Sequence, residues 1–259
     1  MRILMVGDVF GRLGREIFSE LTPKLKAKHK IDFIVVNGEN SAGGKGIVRK
    51  SLDEMCRAGA DVVTSGNHIW DNKEVMNFID DEPYLVRPAN YPPGTPGKGW
   101  CIYQLRSKRI AVVNLSGRAF MPPMDCPFQK IEDILYELKG KADIILVDFH
   151  AETTSEKMAL GWYLDGRVTA VVGTHTHVQT ADERILHEGT AFITDLGMTG
   201  PWDSVIGDEV ECIIRRFTTG MPVRFAVAET GPCIYSGVII DVDDKTNKAV
   251  AIERVLIKQ

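Results

Sequence analysis

No two cysteines in this 259-residue chain stand in C-x-x-C spacing. The five that occur, Cys56, Cys101, Cys126, Cys212 and Cys233, are scattered and odd in number. That pattern excludes a disulfide framework and a thiolate metal cluster, and it suits a reducing compartment where cysteines serve as small buried hydrophobes. Long apolar runs are also lacking, since none reaches the ~18 residues of a membrane span. The N-terminal stretch Ile3–Val6 is broken at once by Gly7-Asp8, too soon for the core of a signal peptide. A cytoplasmic protein that does not enter the membrane is therefore expected. Excess charge is missing as well: 31 Lys and Arg against 35 Asp and Glu leave a net charge of −4. Such a balance supplies no broad basic face for duplex DNA. The densest basic run, Lys24, Lys26, Lys28 and Lys30, falls on several sides of a helix end and reads as a solvated C-terminus. With no repeat, low-complexity tract or linker to divide it, the chain is expected to form one domain over residues 1–259.

A chain of this length buries roughly three quarters of its unfolded surface, so it needs no structural metal or disulfide to fold. The apolar pattern predicts strands at Ile3–Val6, Phe33–Asn37 and Val62–Thr64, alternating with helices at Leu13–His29, Val48–Ala58 and Asn72–Asp80. This βαβαβ rhythm argues for a parallel sheet flanked by helices. The Pro- and Gly-rich stretch Pro83–Gly99 reads as an irregular loop, and Cys101–Leu105 with Ile110–Leu115 as a hairpin turning at Ser107-Lys108. Helices follow at Phe128–Leu138 and Ser155–Leu164, with strands at Ile144–Asp148 and Val168–Val172. The last third predicts strands at Ala191–Thr194, Arg224–Ala228, Cys233–Val242 and Ala249–Ile257, paired antiparallel, and a helix over Ser204–Phe217. The fold class is α/β: a sandwich with one mixed sheet, or with two sheets packed face to face.

Five strand ends deliver reactive groups. Asp8 follows the first strand, Glu39-Asn40 the second, Asn67-His68 the third, His150 the strand at Ile144–Asp148, and His175-Thr176-His177 the strand at Val168–Val172. In open parallel sheets the carboxyl ends of the strands face one crevice, which brings together residues 170 positions apart. Mixed Asp, Glu, Asn and His donors suit divalent iron, manganese, zinc or cobalt. A single histidine at a strand end is commonly a hydrogen-bonded structural residue. Here four of the chain's six histidines occupy such turns, two of them in an H-x-H that, if extended, puts both rings on one side. The stretch Ser41-Ala42-Gly43-Gly44-Lys45-Gly46 offers backbone N–H groups and the Lys45 charge to a phosphate or ribose, and fits a flexible rim loop equally well. It lacks the spacing of a Walker loop. Gly7-Asp8-Val9-Phe10-Gly11 is no dinucleotide fingerprint either, because Asp8 would repel a pyrophosphate; Arg12 and Arg15 are read as anchoring the loop. Trp70, Trp162 and Trp202 stand near these turns in sequence, as core or as stacking partners for a base, and Asp71, Glu152 and Thr176 as partners for ring N–H groups.

Taken in order, Gly-Asp, Gly-Glu-Asn, Gly-Asn-His, a lone His and Gly-x-His-x-His resemble the calcineurin-type metallophosphoesterases. The blocks GDVFGRLGR, VVNGENSAGGKGI, TSGNHIWDN, DFHAETTSEK and GTHTHVQTAD resemble the YmdB family of bacterial metallophosphoesterases, over nearly the whole chain. Two departures from the wider superfamily fit that subfamily: Phe10 replaces a histidine in the first motif, and Glu39 with Asn40 replaces a bridging aspartate.

The resemblance implies a calcineurin-like sandwich and two metal ions, iron or manganese. Asp8, Glu39, Asn40 and His177 would hold the first, and Glu39, Asn67, His150 and His175 the second, with Glu39 bridging. Two ions ~3.5–4 Å apart activate a hydroxide between them and clamp the phosphoryl oxygens. The resemblance implies a phosphodiesterase acting on 2′,3′-cyclic nucleotides, and on 3′,5′-cyclic ones as a second substrate, with His68 as the general acid and Gly43, Gly44 and Lys45 contacting substrate. A phosphomonoesterase or nucleotidase on the same metals, and a regulatory module that binds a nucleotide or RNA with little turnover, stand as alternatives. Trp100, Phe120 and Met121 mark a surface for a homo-oligomer contact.

Overall fold

The computed structural model describes residues 1–259. Its first half runs β1 (Arg2–Val6), β2 (Asp8–Val9), α1 (Gly11–His29), β3 (Phe33–Asn37), α2 (Arg49–Arg57), β4 (Val62–Thr64), β5 (Leu85–Val86), β6 (Trp100–Leu105), β7 (Lys108–Ser116) and α3 (Pro127–Leu138). The second half runs β8 (Ile144–His150), α4 (Thr154–Tyr163), β9 (Ala170–Thr174), β10 (Arg184–Ile185), β11 (Ala191–Ile193), β12 (Met198–Pro201), α5 (Val210–Thr219), β13 (Cys233–Val242) and β14 (Ala249–Lys258). One sheet has the order β2-β12-β13-β1-β3-β4-β5 with β14 paired to β13, and the other β10-β11-β9-β8-β7-β6. Of the two arrangements the sequence left open, two packed sheets is the one adopted.

Side-chain alternation explains the packing. Ile3 and Met5 of β1, Phe33 and Val35 of β3, Ile144 and Leu146 of β8, and Ala170 and Val172 of β9 share one cluster between the sheets. Their neighbours Leu4, Val6, Ile34 and Val36 turn the other way, onto Ile17, Phe18, Leu21 and Leu25 of α1 and Leu52 and Met55 of α2. Val147, Phe149 and Val171 turn outward onto Ile131 and Ile134 of α3 and Leu160 of α4. Strands covered on both faces must be apolar at every position, which is why these runs are continuous rather than alternating. Parallel pairing of β1, β3 and β4, and of β7, β8 and β9, carries their carboxyl ends to a common edge of the sandwich. No helix is long and apolar enough to cross a membrane.

Several elements differ from expectation. The segment expected to be helical at Asn72–Asp80 forms two 3₁₀ turns, Lys73–Asn77 and Ile79–Asp81; Asn72 Oδ1 accepts from the Glu74 amide, and Val75 and Ile79 are buried. The helix expected from Ser204 begins only at Val210. Ile206 and Gly207 take left-handed φ of 50° and 111°, and Ser204 Oγ accepts from the Gly207 amide, which folds the chain back before a helix can start. Arg224–Ala228 is not a strand, because no sheet edge meets it; its contact is a single bridge from Val227 to Asp208. β9 begins at Ala170 and ends at Thr174, two residues beyond the expected span. In the last third, β11 pairs parallel with β9, although β10, β13 and β14 pair antiparallel as the pattern suggested. Leu85–Val86 adds a short strand inside the expected loop.

Candidate active site

Each residue singled out at a strand end lies at the shared edge, and seven of them meet through side-chain contacts. Asn40 Nδ2 lies 3.1 Å from His177 Nε2, and His177 Nε2 lies 3.9 Å from Asp8 Oδ1. On the other side, His150 Nε2 stands 3.0 Å from both Asn67 Oδ1 and His175 Nδ1. Glu39 Oε1 reaches into both groups, 3.3 Å from Asn40 Nδ2 and 3.0 Å from His150 Nε2. Ligand atoms of Glu39, His150 and His175 lie within 4.8 Å of one another. Asp8, Glu39, Asn40 and His150 are all buried.

The polar satisfaction of the site fits a cation. Two of the protein's six unpaired buried polar side-chain atoms, Asp8 Oδ1 and Asn40 Oδ1, belong to this set. A buried acceptor without a partner is costly, and a divalent ion supplies what these oxygens lack. Electrostatics point the same way. Burial pushes the Asp8 carboxyl up to about 6. Burial also opposes the charge on Glu39, but His150 beside it outweighs that and holds the carboxyl at about 2. Burial drives the His175 ring down to about 3, with the charge of His150 adding to it, so this imidazole is neutral and able to ligate.

The ring orientations are set by outer contacts. His150 Nδ1 donates to Thr174 Oγ1 at 2.9 Å, and Thr174 Oγ1 donates to Asp148 Oδ1 at 2.7 Å. Asp148 Oδ2 accepts from Asn37 Nδ2 at 2.9 Å, while Asn37 Oδ1 accepts from the Glu39 amide at 3.1 Å. One buried carboxylate thus fixes both the tautomer of His150 and the backbone of Glu39. His177 Nδ1 donates to the Ile206 carbonyl at 2.7 Å, and His175 Nε2 lies 3.1 Å from Glu152 Oε2. His68 Nδ1 is 2.9 Å from Asp71 Oδ2, and the His68 amide donates to Glu39 Oε2 at 3.2 Å. Thr176 is not a ring partner: its hydroxyl and amide donate to Asp195 Oδ2, at 2.7 and 3.1 Å.

The H-x-H segment is not extended. His175 and His177 have φ of 100° and 66°, a strained conformation for residues with a Cβ. It sends the two rings into different groups rather than to one side of a strand. What holds it is Asp195, which also accepts from the buried Lys157 ammonium at 2.6 Å and from the Gly197 amide at 2.8 Å. Sequence reasoning passed over Asp195, Lys157, Asp148, Thr174 and Asn37. The available signals were the charge inside the apolar run Ile144–His150 and another Asp at the end of β11.

Gly66 shows how tightly the centre is built. A Cβ there would lie 2.1 Å from Glu39 Oε2 and 2.5 Å from His150 Nε2. Gly66→Ala must displace one of these groups, so a loss of divalent-metal affinity of at least about tenfold is expected, the scale of a disturbed supporting shell. Metal content after dialysis, with circular dichroism as the folding control, checks this; undiminished metal would count against the tight packing.

Above the donors opens a cleft of about 640 Å³, lined by Glu39, Asn40, His68, His175 and His177 together with Gly43, Gly44 and Lys45. The glycine-rich stretch is therefore at the rim, with Arg15 donating to the Ser41 carbonyl and pairing with Glu54 at 2.5 Å. Arg12 reaches the Glu229 carbonyl instead, at 2.7 Å. None of the three tryptophans lines the cleft. Trp70 packs on Tyr91, Trp162 on His187, and Trp202 lies under Lys258.

Comparison with known proteins places this geometry in context. A family model described as YmdB-like protein matches residues 4–255. A 2′,3′-cyclic-nucleotide 2′-phosphodiesterase of Bacillus subtilis strain 168 is 58% identical over 257 residues, covering 99% of this chain and 97% of the relative. Among solved structures, a hypothetical protein from Thermus thermophilus superposes with a TM-score of 0.94 at 43% identity, over 100% of both chains. A phosphatase from Mycoplasma pneumoniae superposes with a TM-score of 0.94 at 37% identity, over 100% of this chain and 93% of that one.

Proposed function

The chain belongs to the YmdB-like family, and on that premise we propose that it is a metal-dependent phosphodiesterase opening 2′,3′-cyclic nucleotides at the 2′ oxygen. The observation that carries the reading is the donor set with its two orphaned oxygens, Asn40 Oδ1 on a residue that lines an open cleft and Asp8 Oδ1 buried among the same donors. Asp8, Asn40 and His177 would hold one divalent ion, Asn67, His150 and His175 a second, and Glu39 both. An all-N/O set without thiolate suits iron or manganese. When bound, such ions supply Lewis acidity and a nucleophilic water at neutral pH.

The chain's own groups do the rest. The walls of the cleft orient the diester, with Lys45 and the amides of Gly43 and Gly44 at its non-bridging oxygens. His68, held through Nδ1 by Asp71, keeps Nε2 as its remaining donor, for the oxygen that departs. Water adds to phosphorus as the bond to the 2′ oxygen breaks, and it gives up one proton to solvent. The proton from His68 goes to that oxygen, leaving a 2′ hydroxyl and a 3′ monoester. The reaction proceeds within one domain, and the unpaired cysteines suit a cytoplasmic setting.

Metal-reconstituted protein should hydrolyse 2′,3′-cyclic AMP but not a monoester, and Asp8→Asn should abolish that turnover. Cleavage of the monoester alone would move the assignment to a phosphatase. Tight nucleotide binding without turnover would make the protein a regulatory module.

A further inference from the structure

One part of the cleft wall has no role in this chemistry. Val223, Arg224, Phe225 and Val227 line the same space as Glu39, His68 and His175. Their segment is irregular but anchored. The Glu209 amide donates to the Ala226 carbonyl at 2.8 Å, and the Ala228 amide to the Gly207 carbonyl at 3.0 Å. Ile206, whose carbonyl accepts from His177 Nδ1, immediately precedes that pairing. Beneath it, a Cβ on Gly44 would lie 2.8 Å from Val227 and 3.1 Å from the Phe10 ring, so the absent side chain lets the segment sit down on the glycine loop. Phe10 in turn meets the His177 ring edge-on, with centroids 5.5 Å apart. The backbone carrying Phe225 is thus fixed to the turn that orients a candidate metal donor. Yet Phe225 is 48% exposed on a wall of the cleft, with Arg224 beside it.

We propose that Phe225 is the platform on which the substrate's nucleobase stacks, so that the site selects nucleotides over base-free phosphate esters. The inference rests on the phosphodiesterase reading for its substrate class. A cleft of about 640 Å³ has room for a whole mononucleotide rather than a phosphate alone. The tryptophans, read from sequence as core or as stacking partners, lie elsewhere, and Phe225 is the exposed aromatic ring left in the cleft. Ring-on-base stacking is tolerant of base identity because every base has a π face. Discrimination among bases is therefore expected to be weak, and discrimination against a missing base strong.

The test is the affinity of metal-loaded protein for adenosine 3′-monophosphate relative to ribose 3-phosphate, by calorimetry, beside turnover of 2′,3′-cyclic AMP. Wild type should prefer the nucleotide by about tenfold, the scale of one stacked base. Phe225→Ala should bring that ratio close to one, and Phe225→Trp should keep it. An unchanged ratio in Phe225→Ala, or no preference in wild type, overturns the proposal. If the ratio depends on Phe225 but no diester is hydrolysed, the stacking site stands and the phosphodiesterase reading falls.

Discussion

Glu39→Gln is expected to slow hydrolysis of a cyclic nucleotide by at least about a thousandfold, or about 4 kcal/mol of barrier, and to weaken divalent-metal binding together with it. Glu39 reaches both donor groups at hydrogen-bond distance, through Asn40 on one side and His150 on the other. The amide keeps the shape and loses the charge. Its loss should also show in the protons that metal binding releases. In the metal-free protein burial pushes the His150 ring down, but the charge of Glu39 and its hydrogen bond overcome this and raise the ring to about 9. At pH 7.5 the ring therefore carries a proton on Nε2, the nitrogen that a metal must take, so binding to wild type releases about one proton. In Glu39→Gln the largest of the groups that raise the ring is gone, while Asp8 and Asp148 still act on it, so the release is expected to shrink. Calorimetry in buffers of different ionisation enthalpy reads this directly. A binding enthalpy independent of buffer in wild type would remove the Glu39–His150 pair from the metal's path.

How much of this was legible in the residues follows from which forces are local. Strands buried on both faces spell themselves as apolar runs, and the polar groups that end them, Asp8, Glu39, Asn67 and His150, stand out for that reason. The sheet edge where they meet follows from parallel pairing. What stayed hidden is set from afar. The left-handed turn of His175 and His177 is imposed by Asp195 and Lys157, which come from a strand end and a helix that the local pattern does not connect to it. Ile206 takes a φ that isoleucine avoids, and it does so where His177 holds its carbonyl and Ser204 ties down the next residue. Arg-Phe-Ala-Val-Ala is a short, mostly apolar run of the kind strands carry, but strand pairing needs a free edge, and none is presented to it. The recognition wall of the cleft was misread because pattern specifies a conformation only when a partner is there to receive it.

His68→Ala is expected to leave the metal content of the protein intact while lowering turnover of 2′,3′-cyclic AMP by about 10²–10⁴-fold, the range for a lost general acid. The geometry separates the two effects. The ring of His68 pairs with Asp71, whereas the contact of this residue with Glu39 runs through its backbone amide, which alanine retains. Removing the ring therefore takes nothing from the donor set. The loss should depend on the leaving group. The 2′ oxygen of a ribose departs as a strongly basic alkoxide and needs a proton in the transition state, whereas a p-nitrophenolate departs without one. The variant should retain most of its activity on bis(p-nitrophenyl) phosphate, and the ratio of the two rates is the diagnostic quantity. Asp71→Asn should move that ratio in the same direction by a smaller amount, since the ring keeps its place but loses the anion that holds its Nδ1–H. Equal losses on both substrates, with metal retained, would give His68 a part in binding the phosphoryl group. Loss of metal from His68→Ala would make it a ligand, and the departing oxygen would then need its proton from another group in the cleft.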